Sequence, residues 1–129
     1  MNMKKLLTIL CLVLLSFYSY SEDPPLNGSY EEYYENGQLS GKGNFKNGEY
    51  NGLFERYYEN GHLEGRGNYK DGNKHGLFET FYENGRLETR VNFKDGKKHG
   101  LFEYFYENGE TIEECYKNDE EVNMSYCEN

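Results

Sequence analysis

Slid against itself, the chain locks at a spacing of 24 residues, and that period limits what it can fold into more than any other feature. The copies occupy residues 28–51, 52–75, 76–99 and 100–123, and the second and third agree at 17 of 24 positions. Units this alike must build the same small structure and bury their apolar faces on one another, giving a quasi-one-dimensional array. Residues 22–27, with Pro24 and Pro25, form a stiff linker before it. Residues 124–129 are a tail or a truncated fifth copy, since Met124-Ser125-Tyr126 starts like one and stops.

Each copy carries an aromatic pair followed by Glu-Asn-Gly, at Asn36-Gly37, Asn60-Gly61, Asn84-Gly85 and Asn108-Gly109. Asn-Gly between β-prone runs signals a hairpin closed by a two-residue type I′ turn, in which both residues take φ > 0. The segments 46–48, 70–72 and 94–96 then return the chain to the next hairpin. A two-residue turn dictates cross-strand partners. It sets Glu31 opposite Lys42, Glu55 opposite Arg66 and Glu79 opposite Arg90, but Glu103 opposite Glu114. Three opposed pairs support the register; each is worth only ~0.2–1 kcal/mol.

The other face carries rings over small residues: Tyr30 opposite Gly43, Phe54 opposite Gly67, Phe78 opposite Val91, with Tyr34, Tyr58 and Tyr82 opposite Leu39, Leu63 and Leu87. Rings over strand glycines cover exposed backbone, so this is the expected core face. Fourteen tyrosines and eight phenylalanines, with no alanine or tryptophan, favour strands over helices. The fold class is therefore all-β, an elongated, twisted antiparallel sheet of tandem hairpins. One open sheet leaves its core face bare, so the sheet must twist, curl or form a homodimer.

The units Gly-Leu-Phe-Glu-Thr-Phe-Tyr-Glu-Asn-Gly-Arg-Leu (residues 76–87) and Asn-Phe-Lys-Asp-Gly-Lys-Lys-His-Gly (residues 92–100) resemble the variant MORN repeat, as found in bacterial proteins of the YwqK antitoxin type. The resemblance spans residues 28 to about 110. It implies stacked antiparallel hairpins serving as a binding scaffold, with an antitoxin role as the alternative. The fourth copy departs from the pattern at residues 111–115.

Residues 1–21 read as a secretory signal peptide: Lys4 and Lys5, the apolar run 6–15, then Ser19-Tyr20-Ser21 with cleavage after Ser21. Bulky Leu10 before Cys11 argues against a lipoprotein site. The expected product is periplasmic or secreted; an uncleaved segment would instead anchor the chain in the membrane. Loss of the two lysines takes the net charge from −9 to −11. Neither nucleic acid nor an anionic membrane surface suits such a partner, since both need a basic footprint. A protein is the partner expected.

No catalytic or cofactor-binding constellation emerges. His75 and His99 recur at one repeat position, but equivalent positions two strands apart lie about 9–10 Å from each other, whereas zinc needs each nitrogen at about 2.0–2.1 Å. They read as turn residues, and no metal is expected. The glutamate ladders 31/55/79/103 and 35/59/83/107 are spaced too widely for a glycosidase pair, which needs about 5–5.5 Å. The chain is expected not to be an enzyme. The candidate partner-binding residues are Tyr33, Tyr57, Phe81 and Phe105, a row of aromatics on the charged face, with Leu53, Leu77 and Leu101 nearby. Cys115 and Cys127 are the cysteines left after cleavage. The hairpin register puts Cys115 on the core face opposite Phe102 and Cys127 on the charged face. A disulfide would then require one extra residue, a β-bulge, in the turn between them, and both outcomes stay open.

Overall fold

The computed structural model describes residues 23–128; the segment read as a signal peptide lies outside them. The strands are β1 (Gly28–Tyr33), β2 (Leu39–Lys46), β3 (Glu49–Tyr50), β4 (Gly52–Tyr57), β5 (Leu63–Lys70), β6 (Asn73–Phe81), β7 (Leu87–Lys94), β8 (Lys97–Phe105), β9 (Thr111–Lys117) and β10 (Glu120–Val122). They form one antiparallel sheet ordered β1-β2-β4-β5-β6-β7-β8-β9-β10, with β3 paired to β2. A short 3₁₀ turn, Met124–Tyr126, follows where a fifth copy was expected to begin its strand; Asn123 caps it by accepting from the Ser125 N–H.

The two-residue turn with both φ positive, expected at the hairpin tips, is found at the return turns instead. At the hairpin tips only the glycines (Gly37, Gly61, Gly85, Gly109) have positive φ; the preceding asparagines do not. Tyr58 N donates to His62 O and Gly61 N to Tyr58 O, closing a three-residue loop, and the other tips repeat it. The tip asparagine acts through its side chain instead: Asn60 Oδ1 accepts from His62 N at 2.9 Å, and Asn36, Asn84 and Asn108 do likewise for Gln38, Arg86 and Glu110. The two-residue turns with both φ positive are the return turns Asn47-Gly48, Asp71-Gly72, Asp95-Gly96 and Asn118-Asp119.

The longer tip moves every pair beside it by one. Leu39, Leu63 and Leu87 oppose Tyr33, Tyr57 and Phe81, not Tyr34, Tyr58 and Tyr82. A bulge then takes up one residue, Ser40, Glu64 or Glu88, and beyond it Glu31, Glu55 and Glu79 oppose Lys42, Arg66 and Arg90 as expected. The two offsets cancel.

The fourth hairpin lacks the bulge. Its pairing runs unbroken from Phe105↔Thr111 to His99↔Lys117. Every side chain of β9 beyond the tip therefore sits one step from its repeat position and on the opposite face. Glu103 opposes Glu113, not Glu114, and Cys115 opposes Leu101 on the charged face, not Phe102 on the aromatic one. Tyr116 moves to the aromatic face, where its ring meets Phe102 edge-on at 6.2 Å and Lys98 Nζ lies 4.6 Å from its centre.

The aromatic face is a chain of ring contacts: Tyr30–Phe45, Phe45–Tyr50, Tyr50–Tyr69, Tyr69–Phe78 and Phe78–Phe93, with centroids 4.5–5.7 Å apart. Lys74 and Lys98 stand one and two repeats after Tyr50. Lys74 Nζ lies 5.2 and 4.9 Å from the Phe78 and Phe93 ring centres, so a cation–π contact replaces the missing ring. The glycines make this layer thin. A Cβ on Gly67 would stand 2.3 Å from the Phe78 ring, and one on Gly43 would stand 2.8 Å from Phe54. At both glycines the nearest ring thus belongs to the following hairpin and not to the glycine's own. Among the described residues, the buried hydrophobic ones are Phe45, Val91 and Cys115, so neighbour-to-neighbour ties carry much of the order.

Candidate functional site

The charged face is organised by one row of side chains across the sheet. Reading along the pairing, it runs Glu31, Lys42, Glu55, Arg66, Glu79, Arg90, Glu103, then Glu113. Signs alternate through seven strands and fail at the last. The two shortest ion pairs join different repeats, Lys42–Glu55 at 2.7 Å and Arg66–Glu79 at 2.8 Å, and Arg90–Glu103 spans the third seam at 3.6 Å. Arg90 also meets Glu79 of its own hairpin at 3.3 Å. The hairpin pairs Glu31/Lys42, Glu55/Arg66 and Glu79/Arg90 read from the sequence are correct, yet the salt bridges of this row mostly staple one hairpin to the next.

Two rows flank this ladder. On the tip side stand Tyr33, Tyr57, Phe81 and Phe105, facing Leu39, Leu63, Leu87 and Thr111. The structure brings the four aromatics onto one face at one height. Tyr33 is 59% exposed, while the other three are half-buried. The cations of the ladder lean over them: Lys42 Nζ lies 5.9 Å from the Tyr57 ring centre and Arg66 Cζ 5.9 Å from that of Phe81. Tyr57 Oη donates to Glu55 at 2.9 Å. On the other side stand Leu53 and Leu77, both exposed, and half-buried Leu101. A hollow of about 280 Å³ opens between them over Glu55, Arg66 and Glu79. Leu53, Leu77 and Leu101 were expected near the aromatics; that Leu39, Leu63 and Leu87 also face them was missed in the sequence, because the tip register was off by one there.

Burial alone would raise the proton affinity of Glu79, but the hydrogen bonds from Arg66 and Arg90 outweigh it and hold the carboxyl below the usual carboxylate range. Lys42 does the same for Glu55, and the Lys42 ammonium is raised in turn, first by its bond to Glu55. Lys42, Glu55 and Glu79 are therefore ionised at neutral pH. On the opposite face the Tyr82 phenol is pushed up to about 12, first by its contact with the Tyr104 hydroxyl and then by desolvation.

At the tips, tyrosines reach forward. Tyr34 Oη donates to Tyr57 O, Tyr58 Oη to Phe81 O and Tyr82 Oη to Phe105 O, at 2.6, 2.7 and 3.0 Å. At the return turns, Gly72 N donates to Tyr50 O and Gly96 N to Lys74 O. Both ends of each hairpin are thereby tied to a neighbouring repeat.

His75 and His99 lie among turn contacts: His75 Nδ1 is 3.7 Å from Asp95, and His99 faces Asn118 and Tyr126. Among the described residues, no group of three or more His, Cys, Asp or Glu gathers as a metal-binding cluster, and no helix is long and apolar enough to cross a membrane. Cys115 and Cys127 form a disulfide, with Cα atoms 6.0 Å apart. The bond arises differently from the bulged turn considered above. Without the hairpin bulge β9 turns Cys115 to the charged face, and the 3₁₀ turn brings Cys127 back over it. Tyr126 meets the His99 ring edge-on at 6.0 Å, and Lys117 Nζ lies 5.3 Å from the Tyr126 ring centre.

The sequence profile of the MORN repeat variant matches the chain four times, at residues 26–47, 50–71, 74–95 and 98–118. These segments have the same 24-residue step as the hairpins and together cover more than half of the chain. A comparison with curated proteins found no match.

Proposed function

Because the chain belongs to the MORN repeat variant family, whose repeats serve as interaction scaffolds, we propose that it is an exported, non-enzymatic module that binds another protein at the cell envelope. The observation that carries this reading is the charged face. There an ion ladder holds a row of aromatics and a row of leucines at constant spacing, and no second layer of the described chain lies over them. Aromatic side chains among charges are what protein interfaces use as anchors, with the charged groups supplying register and on-rate. Export rests on the pattern of residues 1–21 and the Cys115–Cys127 bond, since disulfides persist in oxidising compartments.

The test is capture of cross-linked partners from envelope fractions, with wild type against Tyr57→Ser/Phe81→Ser. The double variant should lose a specific partner while keeping its strand signature in circular dichroism. Undiminished capture would move the site elsewhere, and recovery of the uncleaved chain in the cytosol would end the envelope reading. The second reading is an antitoxin or immunity protein that masks a toxin. The net charge of −9 favours a basic toxin as its target. Growth rescue on co-expression with a neighbouring toxin gene distinguishes the two.

A further inference from the structure

We propose that the outer edge of β1 is a strand-addition site, selective for a partner strand that carries Lys or Arg followed by a small residue. The inference deepens the scaffold reading and rests on it. It comes from what the array does at its own seams. Strands β4, β6 and β8 each receive, on the side away from their own hairpin, a strand from the preceding copy: β2, β5 and β7. At every seam the incoming strand sets a cation opposite the glutamate, Lys42 to Glu55, Arg66 to Glu79 and Arg90 to Glu103. The residue after the cation lies beneath the ring before the glutamate. Gly43 sits under Phe54, Gly67 under Phe78, and Val91 is paired with Phe102.

Strand β1 is the fourth member of that series. It offers Tyr30 and Glu31 in the positions of Phe54 and Glu55, and among the described residues it is the first strand of the sheet and pairs only with β2. The seam is laid out, and the described chain supplies nothing to fill it. An extended segment added there would gain backbone hydrogen bonds, with side-chain identity setting specificity.

The same charges disfavour end-to-end addition of a second copy of this chain. The other end of the sheet has a bare stretch on β9, because β10 pairs only with residues 115–117. That stretch presents Glu113 where the other hairpins carry Lys42, Arg66 and Arg90. Joined end to end, two copies would set Glu113 against Glu31. The edge of β1 thus favours a basic strand over the β9 edge of a second copy.

The test uses the protein as the cell produces it and a labelled peptide copying residues 63–70, Leu-Glu-Gly-Arg-Gly-Asn-Tyr-Lys, read by fluorescence anisotropy and hydrogen exchange. The peptide should bind saturably and protect amides of β1. Its Arg66→Glu version should bind at least tenfold more weakly. Glu31→Lys in the protein should reverse that order, and Glu31→Gln should abolish the preference without reversing it. Equal affinity for both peptides, no saturation at millimolar peptide, or protection at β9 instead of β1 would overturn the site. Failure here with partner capture by the charged face intact removes the edge and leaves the scaffold; loss of partner capture with peptide binding intact does the reverse.

Discussion

Glu79 sits between Arg66 on one neighbouring strand and Arg90 on the other, accepting from the Nε of each at 2.9 and 3.3 Å. One carboxylate thereby closes a seam between repeats and the middle of a hairpin at once. Since both arginines are partly exposed, its replacement by Gln should cost only ~1 kcal/mol at neutral pH. The sign with pH follows from the lowered pKa. A carboxyl held below its ordinary value near 4.5 stabilises fully above that value, and the contribution is lost as pH falls through the folded one. The gap in urea midpoint between wild type and Glu79→Gln should be constant from neutral pH to about pH 5 and close below about pH 4.5. A gap that persists into acid would contradict the ladder.

The exchange of turn types makes a paired prediction. Asp95 has φ +50 in a return turn, so Asp95→Gly should be neutral or stabilise, whereas Asn84→Gly at a hairpin tip should cost about 0.5–1 kcal/mol by losing its bond to Arg86 N. Thermal melts of the two variants decide it. The reverse order would restore the two-residue tip.

Glycine substitutions should separate the two reasons for glycine. Gly85→Val forces a β-branched residue to φ +85, at a cost of roughly 1–3 kcal/mol. Gly67→Ala drives a methyl into the Phe78 ring, also at about 1–3 kcal/mol. At Gly41 the nearest atom to an added Cβ, Glu55 O, is 3.5 Å away, so Gly41→Ala should be nearly silent. Equal losses in melting temperature at all three would count against both arguments.

The last hairpin offers a charge test of its shifted register. Glu113→Arg would extend the alternation past Glu103 and should stabilise by ~0.2–1 kcal/mol. Glu114→Arg should not, because Glu114 faces Phe102 and accepts from Tyr116 Oη. Stabilisation by the second and not the first would mean that β9 follows the other copies.

Reduction of Cys115–Cys127, or Cys127→Ser, should destabilise by roughly 3 kcal/mol on the chain-entropy account of a loop this short. The loss should appear in hydrogen exchange as faster opening of β9, β10 and the 3₁₀ turn. Unchanged protection there would show that Tyr116 on Phe102 and Lys98 holds the end unaided.

The period, the hairpins, the two faces and the pairs Glu31/Lys42, Glu55/Arg66 and Glu79/Arg90 were legible in the sequence. The turn types were not. Asn-Gly and Asp-Gly occur at both ends of each hairpin, and the dipeptide does not reveal whether asparagine contributes its backbone or its side chain. The bulges at Ser40, Glu64 and Glu88 were hidden because they cancel the longer tip, leaving the distant pairs right and the near ones wrong. The face of Cys115 was lost for the complementary reason: Ile112 pairs with Tyr104 where the other copies bulge. The aromatic row came out on the face expected for it, whereas the inter-repeat direction of the salt bridges belongs to the seam and appears in no single copy.

The forward reach of Tyr34, Tyr58 and Tyr82 to carbonyls 23 residues later gives the array a polarity. Each unit leans on its successor, and Tyr106, in the last of the four described units, is 39% exposed. Gene-level gain or loss of whole repeats is therefore asymmetric. Deleting the first copy strands no phenol, because Tyr34 leaves with it. Deleting the last copy orphans Tyr82 and discards the disulfide-bonded end with it. Lineages carrying arrays of this build should vary in length by insertion and loss at the amino-terminal side, with the terminating unit carried along intact.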